Sequence, residues 1–201
     1  MLLLKKNNQN GFTIVELVVV MVMIGIVSTG FYMFFNTSIN QYLTLQKEGM
    51  IFGDLATQSQ RVATVLRGAT DITQVSDNDI SVYAYFSPND EFVSFIHYYK
   101  NATNTKLFAD VTPMTANPPD GTLINASKET YTIIDNLYSG AGVTTFIYLD
   151  SAGAVMTLPI ADLHTIKGLQ VTLSSPINSP TANGNETISL QVSLRNRKTN
   201  L

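Results

Sequence analysis

A single carboxylate, Glu16, stands in an otherwise uncharged apolar segment running from Phe12 to Phe35. An ionised acid near a bilayer core costs about 3 kcal/mol on insertion scales, so an intramembrane glutamate implies a function and a partner. The residues just before it point to that partner. Gly11 precedes Phe12 directly, and cleavage of the bond between them would place a new α-amine on Phe12, four residues from Glu16. Opposite charges about 4 Å apart, at an effective dielectric near 20, attract by roughly 4 kcal/mol, enough to offset burial of the acid.

The order of segments excludes an ordinary secretory signal. Lys5, Lys6 and the polar run Asn7-Asn8-Gln9-Asn10-Gly11 come before the apolar stretch. A secretory peptide is cut after its apolar region and loses it, whereas a cut after Gly11 would keep it as an anchor. Leu17 to Phe35 carries no charge. It has about the length that crosses a hydrocarbon core of roughly 30 Å. Lysines on the amino-terminal side predict a cytoplasmic N-terminus and an extracytoplasmic C-terminal domain.

The run Gly11-Phe12-Thr13-Ile14-Val15-Glu16-Leu17, behind a short basic leader, resembles the type IV pilin and type II secretion pseudopilin superfamily. The resemblance implies that Gly11 is the last leader residue, that Phe12 is the first mature residue and is N-methylated, and that Glu16 receives the amine of a neighbouring subunit during assembly. It also implies the partners: other pilin or pseudopilin subunits, a prepilin peptidase that also methylates, an inner-membrane assembly platform and the membrane lipid. Two departures stand out. Asn10 occupies the position beside the glycine where many members carry Lys or Arg, and no proline falls between Phe12 and Ser87, so the helix is expected to be straighter than in many major pilins.

Beyond the apolar segment the helical spacing continues through Ile39, Tyr42, Leu43, Ile51, Leu55, Val62, Val65 and Leu66, one stripe that can pack on a domain outside the membrane. A helix from Thr13 to Leu66 would measure about 80 Å at 1.5 Å per residue. Gly49 and Gly53 are soft points where a local break is expected. Arg67-Gly68 marks its end, with a cation in the last turn and glycine at the cap. Gly25, Ser28 and Gly30 suggest a face where helices approach closely.

After Gly68 the period changes to two. Strands are predicted at Ile80 to Phe86, Phe92 to Tyr99, Lys106 to Ala109, Tyr131 to Ile134, Val143 to Leu149, Ala154 to Leu158, Gly168 to Leu173 and Ile188 to Leu194. The turn Ser87-Pro88-Asn89-Asp90 makes a hairpin of the first two. Thr112 to Lys128 and Ser174 to Asn185, each rich in proline and glycine, read as exposed loops. The expected fold is α+β: a long N-terminal helix packed by its outer half on one half-exposed antiparallel sheet. The segments from Ile72 to Asn196 also resemble minor pseudopilins and minor pilins of the J or W type.

The leader holds two of the 12 basic residues and none of the 15 acidic ones, so the mature chain would be acidic. With no cysteine, there is neither a disulfide nor a thiol nucleophile, and no cysteine metal site. His97 and His164 have no spacing that fits a metal pair or a triad, and no cofactor is expected. Asp150-Ser151-Ala152-Gly153, Asp77-Asn78-Asp79 and Asn89-Asp90-Glu91 read as turns before they read as calcium loops. Asn36, Asn101, Asn125 and Asn185 open Asn-X-Ser/Thr triplets, which are common by chance in a chain of this composition. Arg195, Arg197 and Lys198 form the one basic cluster near the end, the first place to test for nucleic acid.

The chain therefore divides into a leader (1–11), a membrane and assembly helix (12–35), an amphipathic continuation (36–67) and an extracytoplasmic β-rich domain (68–201). The expected role is structural and not enzymatic: a subunit of a type IV pilus or type II secretion pseudopilus, in a minor position. The alternatives are a tip-displayed adhesin or DNA-uptake subunit, and a single-span anchored receptor domain that never polymerises.

Overall fold

The computed structural model describes residues 11–138, 140, 144–178 and 183–195. The expected leader up to Asn10, Val143, Pro180, Arg197 and Lys198 lie outside the described residues. One helix, α1 (Ile14–Arg67), is 54 residues long and passes without interruption through Gly49 and Gly53, where a break was expected. The two glycines cost propensity, but the flanking turns keep their hydrogen bonds and no proline intervenes. The chain forms two compact units, Met1–Leu45 and Gln46–Leu201.

In the first unit α1 exposes every large apolar side chain from Phe12 to Phe35. Its most apolar 18-residue stretch has a mean hydropathy of 2.4 and no buried residue, so the helix is long and apolar enough to cross a membrane. Exposure on all sides means that lipid or other helices are the only surroundings that spare this surface from water.

In the second unit the same helix becomes one-sided. Leu55, Ser59, Val62, Ala63, Val65 and Leu66 are buried. Ile39, Tyr42 and Leu43 continue the stripe in sequence but are exposed, because they precede the point where the chain joins the second unit. Burying Leu55, Val62 and Leu66 contributes roughly 5–9 kcal/mol, as much as a whole domain's net stability, so this half of α1 cannot be separated from the domain it supports. The helix ends where Gly68 N donates to Val65 O at 3.1 Å and to Thr64 O at 3.3 Å, beyond the last-turn cation Arg67.

The β-region holds two antiparallel sheets, not one. The larger has the order β1 (Asp71–Val75), β2 (Asp79–Ala84), β3 (Ser94–Lys100), β4 (Leu107–Pro113) and β5 (Glu129–Ile134). The smaller joins β6 (Phe146–Leu149), β7 (Gly168–Asn178) and β8 (Asn183–Ser193) in that order. Ile80, Val82, Ile96, Tyr98 and Leu107 from the first sheet and Phe146, Leu169, Val171 and Leu173 from the second share a single core with the helix.

The sheets are joined at the β1–β2 turn. The Tyr148 hydroxyl of β6 donates to Ser76 O at 2.7 Å and accepts from Ser76 N at 3.1 Å, while Thr145 N and Phe146 N donate to Asp77 O at 2.9 and 3.1 Å. Ser76 Oγ donates to Asp79 Oδ2 at 2.6 Å and closes the turn. The acidic triplet Asp77-Asn78-Asp79 thus serves as a joint between sheets.

Three expectations about strands are corrected. The segment Ala154–Leu158 alternates but forms no strand: beyond the turn bonds between Ala154 and Asp150 it makes a bridge from Val155 to Leu149 and a bond from Met156 N to Tyr148 O, and Pro159 stops further extension. The loop expected from Thr112 starts later, since β4 runs to Pro113 and Met114 pairs with Leu123. The loop expected over Ser174 to Asn185 is mostly strand: β7 pairs with β8 from Gly168↔Ser193 to Asn178↔Asn183 without a register shift. Pro176 is tolerated because of its side of the ladder. Thr172 N donates to Thr145 O and Ser174 O accepts from Tyr138 N, so alternate residues of β7 turn their backbone groups away from β8. Pro176 shares that parity, and its missing N–H costs no bond to β8.

Candidate assembly site at the helix N-terminus

Thr13 and Glu16 fold the start of α1 into a reciprocal cap. Thr13 N donates to Glu16 Oε2 at 2.9 Å, and Thr13 Oγ1 donates to the same oxygen at 3.0 Å. In return Glu16 N donates to Thr13 Oγ1 at 3.3 Å, and the first helical bond runs from Leu17 N to Thr13 O at 3.2 Å. This is a capping box: a threonine at the N-cap and a glutamate three residues on, each satisfying a backbone donor that the helix leaves orphaned. The negative carboxylate also lies at the positive end of the helix dipole.

Two donors from its own chain converge on Glu16 Oε2, and no described residue bonds Oε1. The acid is held in one orientation with one oxygen open. Phe12, immediately before the cap, is 85% exposed, so an amine made at that residue would start unburied. Sequence reasoning singled out Gly11, Phe12 and Glu16 and included Thr13 in the motif, but missed its capping role, although its spacing to Glu16 ahead of an apolar run is the signature of a capping box.

Gly11 answers to no steric demand of the described fold. A Cβ built on it meets no heavy atom within 4 Å. Gly25 and Gly30 are equally open, and Thr29 Oγ1 turns back to Gly25 O at 2.8 Å.

The other sequence candidates have ordinary structural surroundings. His97 stacks on Tyr99 with ring centroids 4.9 Å apart, and its Nε2 is 3.9 Å from Asp79 Oδ1. His164 sits in a short 3-10 helix whose cap is Asp162 Oδ1, accepting from His164 N at 2.9 Å. Among the described residues no three His, Cys, Asp or Glu side chains converge as metal ligands. Asp150 Oδ1 accepts from Ala152 N and Ala154 N, and Gly153 at φ 80° completes a turn that needs glycine. Asn101 uses its amide internally, accepting from Thr105 N at 2.8 Å and Lys106 N at 2.9 Å.

A search of curated proteins returns no match to the chain. Residues 6–32 match the family model of the prokaryotic N-terminal methylation motif. That span takes in Gly11, Phe12, the Thr13–Glu16 cap and most of the exposed apolar helix. Its lone acid, its open glycine and an anchor exposed on all sides meet in one motif: the chain carries the N-terminal methylation signature of type IV pilins and pseudopilins.

Proposed function

We propose that this chain is a prepilin-like structural subunit, cut after Gly11, N-methylated at Phe12, and assembled through α1 into a type IV pilus or type II secretion pseudopilus as a minor component. Its N-terminus lies in the cytoplasm and its β-rich unit is extracytoplasmic. The partners are a prepilin peptidase that also methylates, an inner-membrane assembly platform, the membrane lipid and other pilin or pseudopilin subunits. The role is non-catalytic.

The capped carboxylate carries this reading. In lipid a bare Glu16 would be protonated or expelled. With Oε2 satisfied by Thr13, the acid is tolerable in the stored subunit, and Oε1 remains to accept the Phe12 ammonium of a neighbour without breaking the cap. Pairing adds roughly 4 kcal/mol of attraction at about 4 Å and effective dielectric near 20, so it favours the incorporated subunit and fixes its axial register. A plain anchor has no use for either charge.

The test is co-expression with the native prepilin peptidase and assembly machinery. Wild type is shortened and enters the filament fraction. Glu16→Ala is inserted and shortened but stays in the membrane. Filaments that take up Glu16→Ala as well as wild type would leave an anchored domain as the better description.

A further inference from the structure

The outer edge of the smaller sheet is built to pair with itself. β8 is an edge strand of 11 residues, and among the described residues no backbone group bonds to its free side. Which groups face outward follows from register. Thr172 and Ser174 turn their backbone groups away from β8, to Thr145 and Tyr138, so their β8 partners Ser189 and Thr187 turn theirs away from β7. The same parity puts the N–H and C=O of Asn185, Gln191 and Ser193 on the open edge.

This edge is only lightly protected. Long open edges are normally broken by lysine, proline, a bulge or an inward-pointing charge. β8 has no lysine, proline or bulge, its pairing with β7 is regular throughout, and its one charge, Glu186, lies on the face of Ile188 and Leu190 near the start of the strand. Beneath it, Ile188 and Leu190 are only partly buried, whereas Val192 further along is 3% exposed. The core is thus incompletely covered on this side.

We propose that the occupant is β8 of a second copy of this chain, antiparallel and centred on Ser189. In that register every outward-facing residue meets another: Ser189 opposes its own copy, Thr187 opposes Gln191, and Asn185 opposes Ser193. Donors and acceptors match along the ladder. Ile188 falls opposite Leu190 and extends the apolar face, while the hydroxyl face of Thr172, Ser174, Thr187 and Ser189, already linked at 2.8–3.0 Å, runs on across the seam. Glu186 falls opposite Val192, so no like charges meet. A two-fold contact of this kind is isologous and closes as a dimer, and it requires neither cleavage at Gly11 nor filament growth.

The absence of native cysteine makes the test clean. Full-length Ser189→Cys and Asn185→Cys chains in native membranes are treated with a short bis-maleimide. The register brings the two Ser189 Cα atoms to about 5.5 Å but leaves the two Asn185 Cα atoms about 27 Å apart along the strands. Dimer yield at residue 189 should exceed that at residue 185 at least tenfold. Thr187→Pro deletes one outward N–H and spares the β7 ladder, so in the Ser189→Cys background it should cut the yield at least fivefold. Ser189→Lys, which sets two ammonium groups face to face, should be monomeric by light scattering in detergent with unchanged circular dichroism. Equal yields at the two positions would mean random encounter of membrane helices and would overturn the proposal, as would no cross-link at residue 189.

Discussion

Glu16→Gln separates the two jobs assigned to this side chain. The amide oxygen of glutamine can still accept from Thr13 N and Thr13 Oγ1, the contacts made at 2.9 and 3.0 Å, and glutamine is a competent third residue of a capping box. The cap should persist and helix content should not change. The charge is lost, and with it an attraction of roughly 4 kcal/mol to a neighbouring ammonium, about a thousandfold in an incorporation equilibrium. Thr13→Val does the reverse: it removes the hydroxyl that gives one bond and receives another, a cap loss of about 1 kcal/mol or some fivefold, and keeps the charge. The assay is the ratio of filament-bound to membrane-stored chain by quantitative immunoblot, at matched expression and with processing checked by mass. If Glu16→Gln assembles within threefold of wild type, or Thr13→Val fails as completely as Glu16→Gln, the division of labour is wrong.

Three further outcomes follow from the same geometry. Tyr148→Phe removes the hydroxyl that serves Ser76 O; since Ser76 N also donates to Asp79 O at 2.9 Å, only the carbonyl is left short, and thermal unfolding of the detergent-solubilised chain should show a loss of about 1–2 kcal/mol. Gly11→Val should block processing while leaving the circular dichroism unchanged, because a Cβ there meets nothing within 4 Å. Burial pushes the Asp110 carboxyl up, but hydrogen bonds from Lys128, at 2.7 Å, from Thr130 and from Tyr99 outweigh it and hold the group below its ordinary range. Its stabilisation is present above the unfolded carboxylate pKa and is lost as pH falls through the lowered folded value, so Lys128→Met should flatten the acid limb of a stability–pH profile.

The parts legible in sequence were those set by local chemistry. The apolar run from Leu17, the stop at Arg67-Gly68 and the alternation from Ile188 to Leu194 each announce themselves within a few residues. β1 did not, for a physical reason: its apolar residues Ile72 and Val75 are three apart, which breaks a period of two, and a register shift between Ile72 and Gln74 turns both inward. Ser59 escaped because a serine reads as surface, yet it sits fully buried within the helix stripe. The distal halves of β7 and β8 were hidden by Pro176 and Gly184, which read as loop residues, although Pro176 turns its backbone away from β8 and so leaves their ladder intact. The joining of the two sheets depends on Tyr148 reaching Ser76 across 72 residues of chain, which no local pattern encodes. At the start of α1, residue types gave Gly11, Phe12 and Glu16, while the orientation of the carboxylate needed the Thr13 contacts.

The central claim rests on what stands at the start of the mature chain. Intact-mass and amino-terminal analysis of protein recovered from membranes that contain the native processing enzyme tests it most directly. A chain beginning at N-methylated Phe12 is the predicted result, because only cleavage after Gly11 makes the cation that Glu16 is held ready to meet. A chain that still carries its first eleven residues under those conditions would contradict it.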